Sequence, residues 1–149
     1  MSENVEFGVI EAVHEVSIAA PRERVWRAIT KEAGAWWHKD FYTGAAVDFV
    51  IDARVGGCVY EDWGNGQGQV WYTVTAAKEN ELLMLSGELF PNYGGPARMQ
   101  NIWTLKDSGG VTTLRLQEFV FGRIGPETKS SLEQGWKILL TDCLKPHVE

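Results

Sequence analysis

Cysteine and histidine are scarce in this chain, and basic residues are outnumbered by acidic ones; each shortage closes a class of function. Two cysteines, Cys58 and Cys143, stand far apart in different predicted elements of 149 residues, so a disulfide framework is excluded as the organising principle. The three histidines, His14, His38 and His147, form no pair at ligand spacing, with each other or with cysteine, and no metal is expected. Lys and Arg total 14 against 20 Asp and Glu, a formal net charge of -6, which argues against nucleic acid as a partner because phosphate binding needs clustered cations. No apolar run approaches the roughly 18 to 20 residues of a membrane span, and no basic amphipathic stretch suits a membrane surface. The N-terminal residues lack the charged-then-apolar pattern of a secretory signal, so a cytoplasmic location is expected. A Gly-x-Ser-x-Gly elbow is missing as well. The run Gly64-Asn65-Gly66-Gln67-Gly68 leads into a strand instead of a helix, so it is no nucleotide fingerprint, and no cofactor is expected.

What the chain has in excess is tryptophan. Seven residues, Trp26, Trp36, Trp37, Trp63, Trp71, Trp103 and Trp136, are spread over nearly every predicted element. Core packing explains much tryptophan, but the indole is rarely buried whole and its N–H needs a partner. Several indoles around one space would make an aromatic-lined pocket.

The pattern of apolar residues predicts one α+β domain over residues 1–149, since no linker, repeat or low-complexity segment divides the chain. Glu11 to Ala19 alternates, with His14, Val16 and Ile18 on one face. Pro21 then opens a short helix carrying Val25, Trp26 and Ile29 at helical spacing. Strands follow at Ala46 to Ala53, Cys58 to Trp63, Gln69 to Ala77, Leu82 to Leu89, Arg98 to Lys106 and Val111 to Phe121. From Pro126 the period becomes helical: Leu132, Trp136, Leu139, Leu140, Cys143 and Leu144 form one stripe, and Pro146 is expected to end it. Gly135 lies beside that stripe, where a missing side chain lets the sheet or a ligand come close. A curved antiparallel sheet of about six or seven strands, wrapped on a long C-terminal helix with short helices after the first strand, buries both apolar surfaces.

Six stretches, in this order, carry a family resemblance: Ala20-Pro21 with Val25-Trp26; Trp36-Trp37; Gly56-Gly57 before Tyr60-Glu61; Leu82 to Leu85; Gly109-Gly110 through Leu116; and Gly135-Trp136. Together they resemble the START-like helix-grip superfamily (SRPBCC), and within it the family named after the activator of the heat-shock-protein ATPase, with polyketide-cyclase-like proteins nearby. The resemblance covers Val13 to Leu144. It implies the helix-grip fold, with an apolar cavity between sheet and final helix. Its relatives include lipid and sterol carriers, hormone receptors and cyclase subunits. The co-chaperone that names the family carries the fold as one of two domains, so activation of a chaperone ATPase is not transferred to a single expected domain.

Candidate cavity residues follow from the predicted faces and that resemblance. The aromatic candidates are Trp36, Trp37, Trp63, Trp103 and Trp136, with Met84 and Leu140 as apolar neighbours. Tyr60, Ser86 and Asn101 are candidate polar groups, Asn101 because it shares parity with Trp103. Glu61 is the acid of most interest: facing inward it would be desolvated and its pKa would rise. Strand parity leaves open whether Glu61 or Tyr60 faces the cavity. His38, at the cavity mouth in the implied fold, is the other candidate proton carrier, while Arg98 and Arg115 are read as outward-facing. No complete catalytic set emerges. The expected function is binding of a small hydrophobic or aromatic molecule, lipids included; the alternatives are a cyclase, dehydratase or hydrolase in the same cavity using Glu61 or His38, and a co-chaperone-like interaction module. For that last reading the aromatic tip Phe90-Pro91-Asn92-Tyr93 would be a partner site, a lid or a homodimer contact.

Overall fold

The computed structural model describes residues 6–149; residues 1–5, the start of the stretch read for a signal segment, lie outside it. Seven strands form one antiparallel sheet in the order β1-β7-β6-β5-β4-β3-β2. They are β1 (Glu6–Ile18), β2 (Asp48–Ile51), β3 (Cys58–Gly64), β4 (Gln67–Lys78), β5 (Leu82–Leu89), β6 (Ala97–Ser108) and β7 (Val111–Ile124). Between β1 and β2 come α1 (Arg22–Lys31), α2 (Ala33–Trp36) and a 3-10 turn, Lys39–Phe41. The C-terminal helix has three parts: α3 (Thr128–Trp136), a π-helical stretch (Lys137–Leu144) and α4 (Lys145–Val148). This is the expected α+β helix-grip architecture.

Local chemistry explains the boundaries. Pro21 caps α1 in extended backbone, and Val25, Trp26, Ala28 and Ile29 turn inward from the helix. The Trp36 indole donates to the Ala28 carbonyl at 2.9 Å, which ties α2 to α1. Asn65 and Gly66 both take positive φ (58° and 78°), as a two-residue hairpin turn requires between right-twisted strands. Pro146 does not stop the helix. The helix runs on through Pro146 to Val148 as α4.

Inward positions alternate as a half-buried sheet demands: Ala97, Met99, Asn101, Trp103 and Leu105 on β6, and Thr112, Leu114, Leu116, Glu118 and Val120 on β7. Strand β5 keeps this alternation, and β4 breaks it. On β5 the inward residues are Leu83, Leu85 and Gly87, so Met84 and Ser86 stand on the opposite face, away from the helix. The run Leu82-Leu83-Met84-Leu85 is apolar on both faces and carries no parity signal, which is why the sequence misassigned them. On β4, Val59 pairs with Tyr72 but Tyr60 pairs with Val70, leaving Trp71 as an extra residue at a bulge. The bulge separates Val70, which is 53% exposed, from the inward-facing Tyr72 and Val74, although simple alternation puts all three on one face.

Candidate functional site

Two buried carboxylates organise the concave side of the sheet. Glu61, on β3, is fully buried, and its parity turns Tyr60 to the other face. Glu61 accepts from the backbone amides of Thr43 (2.8 and 3.0 Å) and Gly44 (2.9 Å), from the Trp63 indole at 2.8 Å and from the Trp71 indole at 3.0 Å. Burial pushes the Glu61 carboxyl up, but hydrogen bonds from Trp63, Trp71 and Thr43 outweigh it and hold it below the ordinary glutamate value. This corrects the expected rise: desolvation is present, and donors overcome it. Gly44 is glycine for a packing reason, since a Cβ there would lie 2.4 Å from the Trp63 ring.

Glu118, on β7, is 1% exposed. Its Oε2 accepts from the Tyr72 hydroxyl at 2.7 Å and the Asn101 amide at 2.8 Å, and its Oε1 accepts from the Trp136 indole at 2.9 Å. Behind it, the Trp103 indole reaches the Asn101 carbonyl oxygen at 3.3 Å, and the Trp103 ring meets Trp136 edge-on at 5.7 Å between centroids. Burial, then the Glu118 charge and the hydrogen bond to it, push the Tyr72 phenol well above its ordinary value. Tyr72 therefore acts as a hydrogen-bond donor at neutral pH.

Glu118 also lines a cavity of about 220 Å³ between sheet and C-terminal helix. The helix supplies Leu132, Gly135, Trp136 and Leu139, spaced so that they share one face. The sheet contributes Phe49, Trp71, Tyr72, Leu89 and Met99, and the connection after α1 contributes Trp37 and Phe41. Trp37 stacks on Phe49 at 3.9 Å with 7° between the planes. Its indole N–H is buried with no hydrogen-bond partner among the described residues.

Of the candidates read from sequence, Trp37 and Trp136 are in the cavity wall. Asn101 and Trp103 stand behind it, and Trp63 holds Glu61. Trp36 and Leu140 are core residues, and Glu61 meets the wall only through Trp71. Met84, Ser86 and Tyr60 are on the far face; Ser86 accepts there from Arg98 at 3.1 Å. His38 caps the 3-10 turn, its Nδ1 accepting from the Asp40 amide at 3.1 Å, outside the wall. His14 is on the concave face as read, with Nε2 2.7 Å from the Thr141 hydroxyl. Arg115 pairs with Glu15 at 3.5 Å on the outer face. The aromatic tip has Phe90 58% exposed, while Tyr93 packs on Trp71 at 5.6 Å.

The wall residues that sequence reasoning missed include Glu118, Tyr72, Trp71, Phe41, Phe49, Met99 and Ser131. Continuing the Leu114–Leu116 alternation by one more step reaches Glu118, so that signal was present. Trp71 depends on a bulge and had none. Among the described residues no group of three or more His, Cys, Asp or Glu gathers to hold a metal. No helix there is long and apolar enough to cross a membrane.

A seven-stranded antiparallel sheet closed by a C-terminal helix over a small cavity defines the class of helix-grip proteins. The family model described as "Activator of Hsp90 ATPase homolog 1-like protein" matches residues 19–149, and the chain belongs to that family. No functionally curated protein matches it. Among solved structures, an uncharacterised protein from Rhizobium leguminosarum is similar over 97% of both chains, at 21% identity and a TM-score of 0.74. DynU16, from the dynemicin biosynthetic locus, is 22% identical with a TM-score of 0.68; the match covers 93% of this chain but only 46% of DynU16, about half its length. The Aha1 dimer from Colwellia psychrerythraea, at 19% identity and a TM-score of 0.62, aligns over 94% of this chain and 96% of its own. At these identities the likeness is one of fold.

Proposed function

We propose that this protein binds a small, largely aromatic or hydrophobic molecule in the cavity between sheet and C-terminal helix. The observation that carries the reading is the wall itself: indoles, phenyl rings and aliphatic side chains around about 220 Å³, with one buried carboxylate network and one unpartnered indole N–H. Ligand sites combine apolar walls with a few placed polar groups in this way, and the volume falls below the roughly 300 Å³ at which drug-sized sites begin. A compact ligand is therefore favoured over a sterol or a long acyl chain.

An enzymatic reading has weaker support. Neither Glu61 nor His38 is in the wall, and the raised Tyr72 phenol is a poor proton source near neutral pH. The test is calorimetric titration of a panel of small aromatic and aliphatic compounds, with Leu132→Trp as the cavity-filling control. Saturable binding lost in the control is expected. Binding unaffected by Leu132→Trp would move the site elsewhere, and no binding by any compound would sink the reading.

A further inference from the structure

The two carboxylates beside the cavity share an electrostatic peculiarity. Each is buried, and each is held entirely by neutral donors: amides, indoles, a phenol and a carboxamide. The ion pairs among the described residues all lie elsewhere, and none includes Glu61 or Glu118. Three neutral side chains hold Glu118, and no cationic side chain stands against it. Buried charges are ordinarily paired, because desolvation of a lone ion is costly.

The walls in front of Glu118 have a matching character. Trp37, Trp71, Trp136, Phe41, Phe49 and Tyr72 line one small space, and no lysine or arginine is among the lining residues. The faces of such rings carry negative potential and attract cations most strongly where water is displaced. Donation from the Trp71 indole to Glu61 and from the Trp136 indole to Glu118 adds electron density to two of these rings. An aromatic cage backed by an uncompensated carboxylate is complementary to positive charge, and the chain's net charge of -6 favours the approach of a cation.

We infer that the cavity selects a compact organic cation, an aromatic or aliphatic amine or quaternary ammonium, with its charge inside the aromatic cage and facing Glu118. This rests on the cavity-binding reading above and names the ligand class for it.

A charge series on one skeleton decides the matter: tyramine (cation), tyrosol (neutral alcohol) and 4-hydroxyphenylacetate (anion), each with the same phenol oxygen, titrated calorimetrically into the wild-type chain. Tyramine binding at least about tenfold tighter than tyrosol, with the anion weakest, is the expected order. Equal or tighter binding of tyrosol would overturn the inference and leave cavity binding standing. So would failure of all three while a neutral compound of the wider panel binds. Failure of every compound removes both readings. In Glu118→Gln, confirmed folded by circular dichroism, the tyramine-to-tyrosol ratio should fall towards one; an unchanged ratio would overturn the role of Glu118. The wild-type series stands without that variant should it not fold.

Discussion

Glu61 and Glu118 are both buried acids on the concave face of one sheet, yet they solve the problem of burial differently. Glu61 is sealed by four groups, two of them backbone amides from the Thr43–Gly44 connection, and is shielded from the cavity by Trp71. Glu118 is held by three side chains and keeps a place in the cavity wall. The first staples a long connection to β3, as a structural anchor does. The second is held by buried side chains and borders the cavity, as a recognition group needs. Position in a strand made both acids inward-facing; what stands opposite each decides its work.

The largest expected effect comes from breaking the anchor. In Glu61→Gln the new NH2 group must face donors, two of them backbone amides that cannot rotate away, and a loss of about 3 kcal/mol is expected in urea denaturation. Glu118→Gln should cost less, about 2 kcal/mol, since Tyr72, Asn101 and Trp136 are side chains that can adjust. A larger loss at Glu118 would reverse the comparison. The anchor also has a pH signature. The Glu61 pKa is lowered in the folded state, so the unfolded chain binds more protons below the ordinary glutamate range. Its contribution is present above that range and is lost as pH falls through the folded value. Denaturation of wild type and Glu61→Gln on acidification should therefore converge.

Trp71→Phe cuts the link between the two regions. It keeps an aromatic wall but removes one donor from Glu61, and a loss of about 1.5 kcal/mol is expected with cavity binding retained. Gly135→Ala should act in the opposite direction. The added Cβ would sit 3.5 Å from Phe41, an ordinary contact, so the helix gains about 0.5 to 1 kcal/mol while the cavity narrows. Higher thermal stability with weaker ligand binding is the expected pair of results. The smallest effect concerns His14. Burial, then the Lys137 charge, lower its pKa, with Asp142 partly opposing them, so the folded state resists protonation. Stability should decline as pH falls below the ordinary histidine value, and His14→Gln should flatten that slope in denaturation curves between pH 7 and 5.

Most of the fold was legible because its main elements announced themselves by period. Alternation marked β1, β6 and β7, glycine and asparagine marked the turns, and the Leu132–Leu144 stripe marked the closing helix. The site was legible only in part. Trp136 and Trp37 were readable as wall candidates and Asn101 as an inward polar group, but Met84 and Ser86 were placed on the wrong face because β5 is apolar on both sides. Trp71 and Tyr72 could not both be read as wall residues, since strict alternation puts one of them outside.

By itself the sequence determined the helix-grip architecture and the aromatic character of the interior, because local periodicity and burial of apolar surface leave few other ways to fold this chain. Tertiary structure alone decided which acid faces the cavity and which is locked away. The bulge at Trp71, the Thr43–Gly44 amides over Glu61 and the meeting of Tyr72, Asn101 and Trp136 at Glu118 join residues from separate strands and a helix. Hydrogen bonds between elements distant in sequence leave no periodic trace along it.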